Sequence, residues 1–426
     1  MRPVALLVLV LACVIVAAPA ATQDQTPSDW VKARAIPLKT VVPGNGFDDL
    51  RPLASVIGSA RIVSLGEATH GSREFFQLKH RMLEFLATEM GFTIFSIEAN
   101  MPESYRLNDY VLNGTGDPAA LLKGIYFWTW DTDEVLAMIT WMREFNASGK
   151  GRVQFTGFDM QTPTVAAGIV DDFVAKRDPD LVDAVRFATR ALKAVSKPAS
   201  SLSGSSGLAV PPPASVVKWW NEVVAGLEAG RAKYRTSGAS NTEITWAIQN
   251  ARVVLQCAQM WAKEVGRDRS MAENVKWILD QNPTAKIVLW AHNGHVAAGS
   301  FDYETMGAAL RRMYGAQMLV FGFAFNEGSF RAIPQGGGKL RTFTVPAAPA
   351  DSLDGTLAAS RVPLFALDLR QAPAWFREPR RSRLIGSIYP VNQPYAYMMN
   401  LRPAEAYDVM LFVDKTTAAV PNPPSK

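Results

Sequence analysis

Glu67 and His70 stand three residues apart, directly after a short apolar run, Ile62 to Leu65, that Gly66 breaks. A carboxylate beside an imidazole is a simple device for taking a proton from water, because the acid orients the ring and stabilises its cation. Three other apolar runs also end in ionisable side chains. Glu98 follows residues 93–97, Asp159 follows 152–158, and His292 with His295 follow 285–291. The chain has only four histidines, and three of them stand at these ends. The fourth, His80, falls within a helical pattern and reads as a surface or packing residue. Ligands of open α/β sheets bind at the carboxyl ends of strands, so neighbouring parallel strands would gather all these groups in one crevice.

These residue types suit water attack on a carbonyl carbon. A histidine activates the water, and a second histidine or an arginine donates to the developing oxyanion. No Gly-x-Ser-x-Gly elbow occurs, which argues against a serine nucleophile of that kind. No glycine-rich phosphate loop follows a strand, and Gly336-Gly-Gly338 reads as a turn. Histidines and carboxylates also bind metals, so a metal-dependent hydrolase is one alternative. Yet Glu-x-x-His on a turn and His-x-x-His on a loop match no zinc spacing, and the expectation is no metal and no cofactor. A noncatalytic protein that binds a polyketide- or lipid-like molecule is the other alternative.

The elements that must position these groups follow from periodicity. Phe75, Phe76, Leu78, Met82, Leu83, Phe85 and Leu86 recur at helical spacing, so a helix over about 72–90 is expected, closed by Gly91. Strands are expected at 61–65, 93–97, 152–158, 285–291 and 317–323, with helices near 103–112 and 133–147. Asp131 or Thr132 could cap the latter. Continuous apolar character marks strands buried on both faces. Residues 165–283 read as successive helices interrupted by a Ser/Gly/Pro-rich loop, Lys197 to Ser215. Residues 330–426 mix short strands and turns, of which 364–369 and 407–413 are the clearest. The expected fold is α/β: a mostly parallel, mixed central sheet flanked by helices, with an inserted α-helical subdomain. The expected divisions are 1–21 signal peptide, 22–164 first part of the core, 165–283 helical insert or cap, and 284–426 second part. Trp128 and Trp130 are candidates to line an apolar cleft.

Composition sets the limits. The chain has 426 residues, 48% hydrophobic and 19% charged, with a net charge of +5, an ordinary globular balance. No basic run interleaves with aromatics, so nucleic acid is not an expected partner. Arg2, the apolar stretch Val4 to Ala17, and Ala18-Pro-Ala20 together read as an export signal, placing the mature protein in a periplasm or outside the cell. Lipoprotein anchoring at Cys13 fits less well, because the apolar run continues past it. Cys257 is then the sole cysteine, within a helical pattern that reads as core. No later run is long enough to span a membrane.

Gly66-Glu67-Ala-Thr-His70 with Glu74-Phe75, then Gly91-Phe92 and Glu98, resembles the erythromycin esterase family. So do Gly157-Phe-Asp159-Met-Gln161, Arg267-Asp268 with Met271-Ala-Glu-Asn274, and Trp290-Ala-His-Asn-Gly-His295. These motifs keep the family's order and cover about residues 60–325. The resemblance implies an α/β core with a helical insertion. It also implies metal-independent hydrolysis of a macrolide lactone or similar ester, in members that have that activity. It puts the general base on His70, acidic partners on Glu67 and Glu98, and a second essential histidine on His292 or His295. An essential arginine falls on Arg267, with Arg269 as the alternative. The family pattern carries an arginine in the first helix where this chain has Lys79. Lysine keeps the charge and loses the planar fork, which bears on substrate identity. Lys79, Asp159, Trp128, Trp130 and Arg269 are therefore the candidate substrate-binding residues. Glu98 is the first expectation for the partner of His70, and Glu67 the second.

Overall fold

A computed structural model of the chain describes residues 25–195, 214–390, 393 and 395–422. The expected signal segment with Cys13, and residues 197–213 of the Ser/Gly/Pro-rich loop, lie outside the described residues.

The strands in chain order are β1 (Ile36–Pro37), β2 (Ile62–Leu65), β3 (Ile94–Asn100), β4 (Gln154–Asp159), β5 (Ile287–Trp290), β6 (Met318–Pro334), β7 (Arg341–Val345), β8 (Leu364–Asp368), β9 (Arg380–Arg383), β10 (Ile388–Tyr389), β11 (Met398–Leu401) and β12 (Val409–Thr416). The main sheet runs β1-β8-β12-β6-β2-β5-β3-β4, with β7 and β10 also paired to β6. From β12 to β4 every neighbour along this path is parallel. β8 and β1 add an antiparallel edge, so the α/β sheet is mixed, as expected. β5 enters late and slots between β2 and β3. The carboxyl ends of β2, β5, β3 and β4 are therefore consecutive, and these are the four ends that carry the ionisable groups.

The central strands are mainly apolar because both faces are covered. Ile62, Ile94, Ile287 and Leu289 join one apolar cluster with the helices between Thr164 and Gln281. Val63, Leu65, Phe95, Val288 and Trp290 join a second, with the helices Arg73–Glu89 and Asp133–Ala147. Burying each such side chain stabilises the fold by roughly 1.5–3 kcal/mol. The helix Arg73–Glu89 buries Phe75, Phe76, Leu78, Met82, Leu83, Phe85 and Leu86. Gly91 follows it at φ +72°, a conformation glycine adopts at little cost. Thr132, one of the two expected caps, accepts the Val135 N–H at 3.3 Å. The helices of 165–283 form the connection from β4 to β5.

One strand differs from the sequence expectation. β6 runs seventeen residues, well past Phe323. Beyond Phe325 half-buried positions mix with buried Phe330, Ala332 and Ile333, and the residues are of mixed character, which hides the strand from a hydrophobicity pattern. Pairing with β12 on one side and β7 on the other holds it extended.

Candidate active site

Gly66 is set by close approach: a Cβ there would lie 2.1 Å from the Asn293 side-chain oxygen. Asn293 extends the ladder with its amide, accepting the Phe323 N–H at 3.0 Å and donating to the Phe323 carbonyl at 2.7 Å. Its own backbone N–H donates to the Glu67 carbonyl at 2.9 Å. The loop after β5 is thereby locked onto the turn after β2. Gly71 completes that turn, with a would-be Cβ 2.2 Å from the Arg331 carbonyl oxygen. The Gly71 carbonyl accepts N–H groups from Arg331 and Ala419, and the Ala68 carbonyl accepts the Ile385 N–H. The C-terminal part thus grips the His70 turn from both sides.

Within this frame Glu67 is fully buried and its carboxylate is fully engaged. One oxygen accepts from His70 Nδ1 at 2.7 Å. The other accepts from Lys79 Nζ at 2.5 Å and from the Trp290 indole at 2.7 Å. Burial alone would raise the Glu67 pKa. Lys79 and His70 outweigh it and hold the carboxyl below its usual range. Burial also pulls Lys79 down, to about 8, against the attraction of Glu67. Because an ionised Glu67 can only accept, the neutral form of His70 carries its hydrogen on Nδ1 and leaves the lone pair on Nε2. Here one expectation is corrected. The acid on His70 is Glu67, whose three-residue spacing brings it against the ring, whereas Glu98 is occupied elsewhere.

Glu98 accepts from Arg267 Nη2 at 2.7 Å and from the His292 backbone N–H at 2.9 Å. Asp159, also fully buried, takes Arg267 through both oxygens, at 3.1 and 2.7 Å. Arg267 Nη1 lies 3.1 Å from His295 Nε2, and His295 Nδ1 lies 2.9 Å from Asp268. Arg267 is therefore a hub that ties the ends of β3 and β4 to the loop after β5. Burial opposes charge on both carboxylate and guanidinium here. Even so, His295 and Arg267 hold Glu98 well below the usual carboxylate range, and Asp159 and Glu98 raise Arg267 further.

His292 and His295 differ. Burial pulls His292 down to about 3, with the neighbouring histidines adding to the effect. It is neutral near pH 7. Its Nδ1 accepts the Gly294 N–H at 3.2 Å, so the hydrogen sits on Nε2, which is buried and has no partner among the described residues. The His292 ring centroid lies 5.0 Å from that of His70. Burial would lower His295 as well, but Glu98 and Asp268 outweigh it and raise its pKa.

A cavity of about 250 Å³ is lined by His70, Glu98, Arg267, His292, His295 and Gln161, by the wall Phe127 to Trp130, and by Gly386 and Ser387. Trp128 and Trp130 line it as expected, although Trp130 is only 2% exposed and packs edge-on against Trp290. Glu67, behind His70, does not line it, and neither do three of the substrate-binding candidates. Asp159 sits behind Arg267. Lys79 is fully buried beneath Glu67, since the helix Arg73–Glu89 passes under the turn. Arg269 is 43% exposed and pairs with Glu273 one helical turn on. The sequence reading gave no role to Asp268, Trp290 or Asn293, although all three stand in quoted motifs. Nothing in the sequence marked Gly386 and Ser387, which reach the cavity through the pairing of Ile385 with Thr69. Among the described residues, no group of three or more His, Cys, Asp or Glu is arranged to hold a metal ion.

Comparison with known proteins follows the same lines. The family model for erythromycin esterase matches residues 87–416. Erythromycin esterase type II of Escherichia coli is 27% identical over 335 residues, covering 72% of this chain and 78% of that protein. A crystal structure of a Bacillus cereus protein superposes with a TM-score of 0.80 at 26% identity, covering 92% of this chain and 98% of that one. A mutant of the erythromycin esterase EreC, in its open conformation, shares the fold at a TM-score of 0.68 and 17% identity, over 90% of this chain and 97% of its own.

Proposed function

The chain belongs to the erythromycin esterase family, and from that premise we propose that it hydrolyses a carboxylic ester or lactone by metal-independent attack of water, with His70 as the base. The observation that carries the reading is the Glu67–His70 hydrogen bond of 2.7 Å at the wall of a cavity shared with a neutral His292. Nε2 of His70 takes a proton from water, and the water oxygen bonds to the carbonyl carbon. The carbonyl electrons move to oxygen, where a rotated or slightly shifted His292 can donate its unspent Nε2–H. The carbon–oxygen ester bond then breaks, and the alkoxide takes the proton back from His70. Arg267 was expected to donate to the oxyanion. Its contacts with Glu98, Asp159 and His295 support instead a role in fixing the acids and His295.

The cavity of about 250 Å³ is below the roughly 300–1,000 Å³ that encloses drug-sized ligands. A macrolide-like substrate would place only its ester end inside. The test is a panel of macrolides and simple esters read by mass gain of one water, before and after prolonged chelation. Turnover that survives the chelator supports the proposal. A panel with no hydrolysed member, or loss restored by zinc, defeats it. Export through residues 1–21 is a further part of the proposal, supported by Arg2, Val4 to Ala17 and Ala18-Pro-Ala20. N-terminal sequencing of the protein from a periplasmic fraction tests it, and an intact Met1 there is the contrary result.

A further inference from the structure

Glu67 spends one oxygen on His70 and the other on two donors that never reach the cavity. The Trp290 indole donates at 2.7 Å and Lys79 Nζ at 2.5 Å, all from fully buried positions. Lys79 Nζ also sits 4.2 Å above the centre of the Trp290 ring and 5.3 Å from that of Phe323. The Trp290 ring is wedged edge-to-face among Phe76 at 4.9 Å, Trp130 at 5.3 Å and Phe95 at 6.2 Å. It is the last residue of β5, so its orientation is fixed by the sheet as well as by these rings.

We propose that Trp290 and Lys79 are positioning residues for the water-activating step: together they clamp the outer oxygen of Glu67, so that its inner oxygen fixes the His70 ring with Nε2 toward the substrate. A carboxylate held by His70 alone could rotate about its terminal bond and release the ring. The two donors, one from a strand and one from a helix, remove that freedom. The arrangement divides the work. Trp290 supplies direction, because a buried indole has one N–H and one orientation. Lys79 supplies charge, because it keeps Glu67 ionised where burial would neutralise it. The charged and titratable groups that face this pair are His70 on the same turn, Glu98 at the end of β3, and His292 after β5. Trp130 extends the arrangement outward, since one of its neighbours is Trp290 and it also borders the cavity. Lys79 thus acts through Glu67 and does not touch substrate.

The inference rests on His70 being the base, and the experiment separates the two. The pH dependence of kcat/KM is measured on the full chain for the wild type, Trp290→Phe, Lys79→Arg, Lys79→Met and His70→Gln. Trp290→Phe keeps the ring packing and removes the donor. We expect kcat to fall about tenfold at unchanged KM, with the acid limb moved to higher pH, because a carboxylate that loses a donor holds the imidazolium more tightly. Lys79→Arg keeps the charge and should stay within about threefold of wild type with the limb in place. Lys79→Met should lose the most. If it fails to fold, Trp290→Phe and Lys79→Arg still decide. Should Trp290→Phe, or a folded Lys79→Met, lose rate with an acid limb superimposable on wild type, both residues are reduced to scaffolding and the inference is overturned. A change in KM alone would return Lys79 to substrate contact, and also overturn it. Should His70→Gln stay active, the base assignment itself fails. An inactive His70→Gln beside an unshifted Trp290→Phe condemns the clamp alone.

Discussion

His292 and His295 are three residues apart on one loop, border one cavity, and are driven in opposite directions. His292 meets apolar burial and two other imidazoles, and is forced neutral. His295 meets Glu98 and Asp268, and is favoured as a cation. The difference extends to the regions around them. On the His70 side a single acid is saturated by donors and sealed from water. On the Arg267 side two acids, Glu98 and Asp159, share one guanidinium and a third, Asp268, holds His295, and Arg267 and His295 keep 22% and 21% of their side chains exposed. Buried position alone therefore does not set protonation. Under the proposed mechanism the first region would hold a proton acceptor beside a neutral donor, and the second fixed charge.

The strongest break of this contrast is His70→Gln. Loss of a general base costs about 10²–10⁴-fold in turnover, and the glutamine amide can still donate to Glu67, so circular dichroism and melting temperature should hardly move. His295→Gln, in the other region, should cost far less, about tenfold, since its partners can hold one another. Equal losses in the two variants would erase the distinction.

Arg267→Met attacks the second region where it is most charged. It leaves Glu98 and Asp159 facing each other without their shared cation. Breaking a buried pair in this way costs about 3–5 kcal/mol, and the partial exposure of Arg267 favours the lower end. Chemical denaturation should show that loss at pH 7 and recover part of it near pH 4, as the carboxylates are protonated. Stability equal to wild type at pH 7 would mean that the hub is ornamental.

How much of this was readable in the chain differs by region too. The strand ends were plain, because each apolar run stops at an ionisable residue, and β5 returns them to one edge. The choice between Glu67 and Glu98 for His70 was not, since it depends on which acid Arg267 captures across 169 residues of sequence. The fate of Lys79 turned on the helix Arg73–Glu89 passing beneath the turn, which periodicity places on a buried face but not against a particular acid. Gly386 and Ser387 carry no chemical signature, and only the grip of the C-terminal part on the His70 turn brings them in.

Acid pH gives a smaller and signed effect. His292 has a folded pKa of about 3 against an ordinary 6.5, and burial does the same to His80. The unfolded chain then binds more protons, so stability falls as pH drops below 6.5, by at most about 1.4 kcal/mol per pH unit for each histidine. His295 has the opposite sign. Its contribution is complete below 6.5 and is lost as pH rises through its raised folded value. Glu98 contributes above about 4.5 and is lost only below it. In that window Glu103 and Asp354, held up by burial to about 7 and 6, titrate with the opposite sign and offset the two histidines, so the check is the difference between variants: the slope of unfolding free energy between pH 6.5 and 5 should be lower in His80→Asn than in wild type by up to about 1.4 kcal/mol per pH unit. A slope unchanged by that substitution would show that buried His80 is not one of its sources.

The smallest effect sharpens the contrast within a single helical turn. Arg267 and Arg269 both stood as candidates for the essential arginine, two residues apart at the start of the helix Arg267–Gln281. Successive helical positions are rotated by about 100°, so two steps carry a side chain most of the way to the opposite face. Arg267 accordingly reaches Glu98 and Asp159, while Arg269 pairs with Glu273 at 3.0 Å on a half-open surface. An exposed pair four residues apart contributes about 0.3–0.5 kcal/mol. Arg269→Ala should therefore leave kcat and KM at wild-type values and shift stability by no more than that, measured by esterase kinetics and urea titration on the same preparation. A tenfold loss of kcat/KM in Arg269→Ala would show that the helix turns a different face to the substrate than it does here, and the assignment of Arg267 as hub would fall with it.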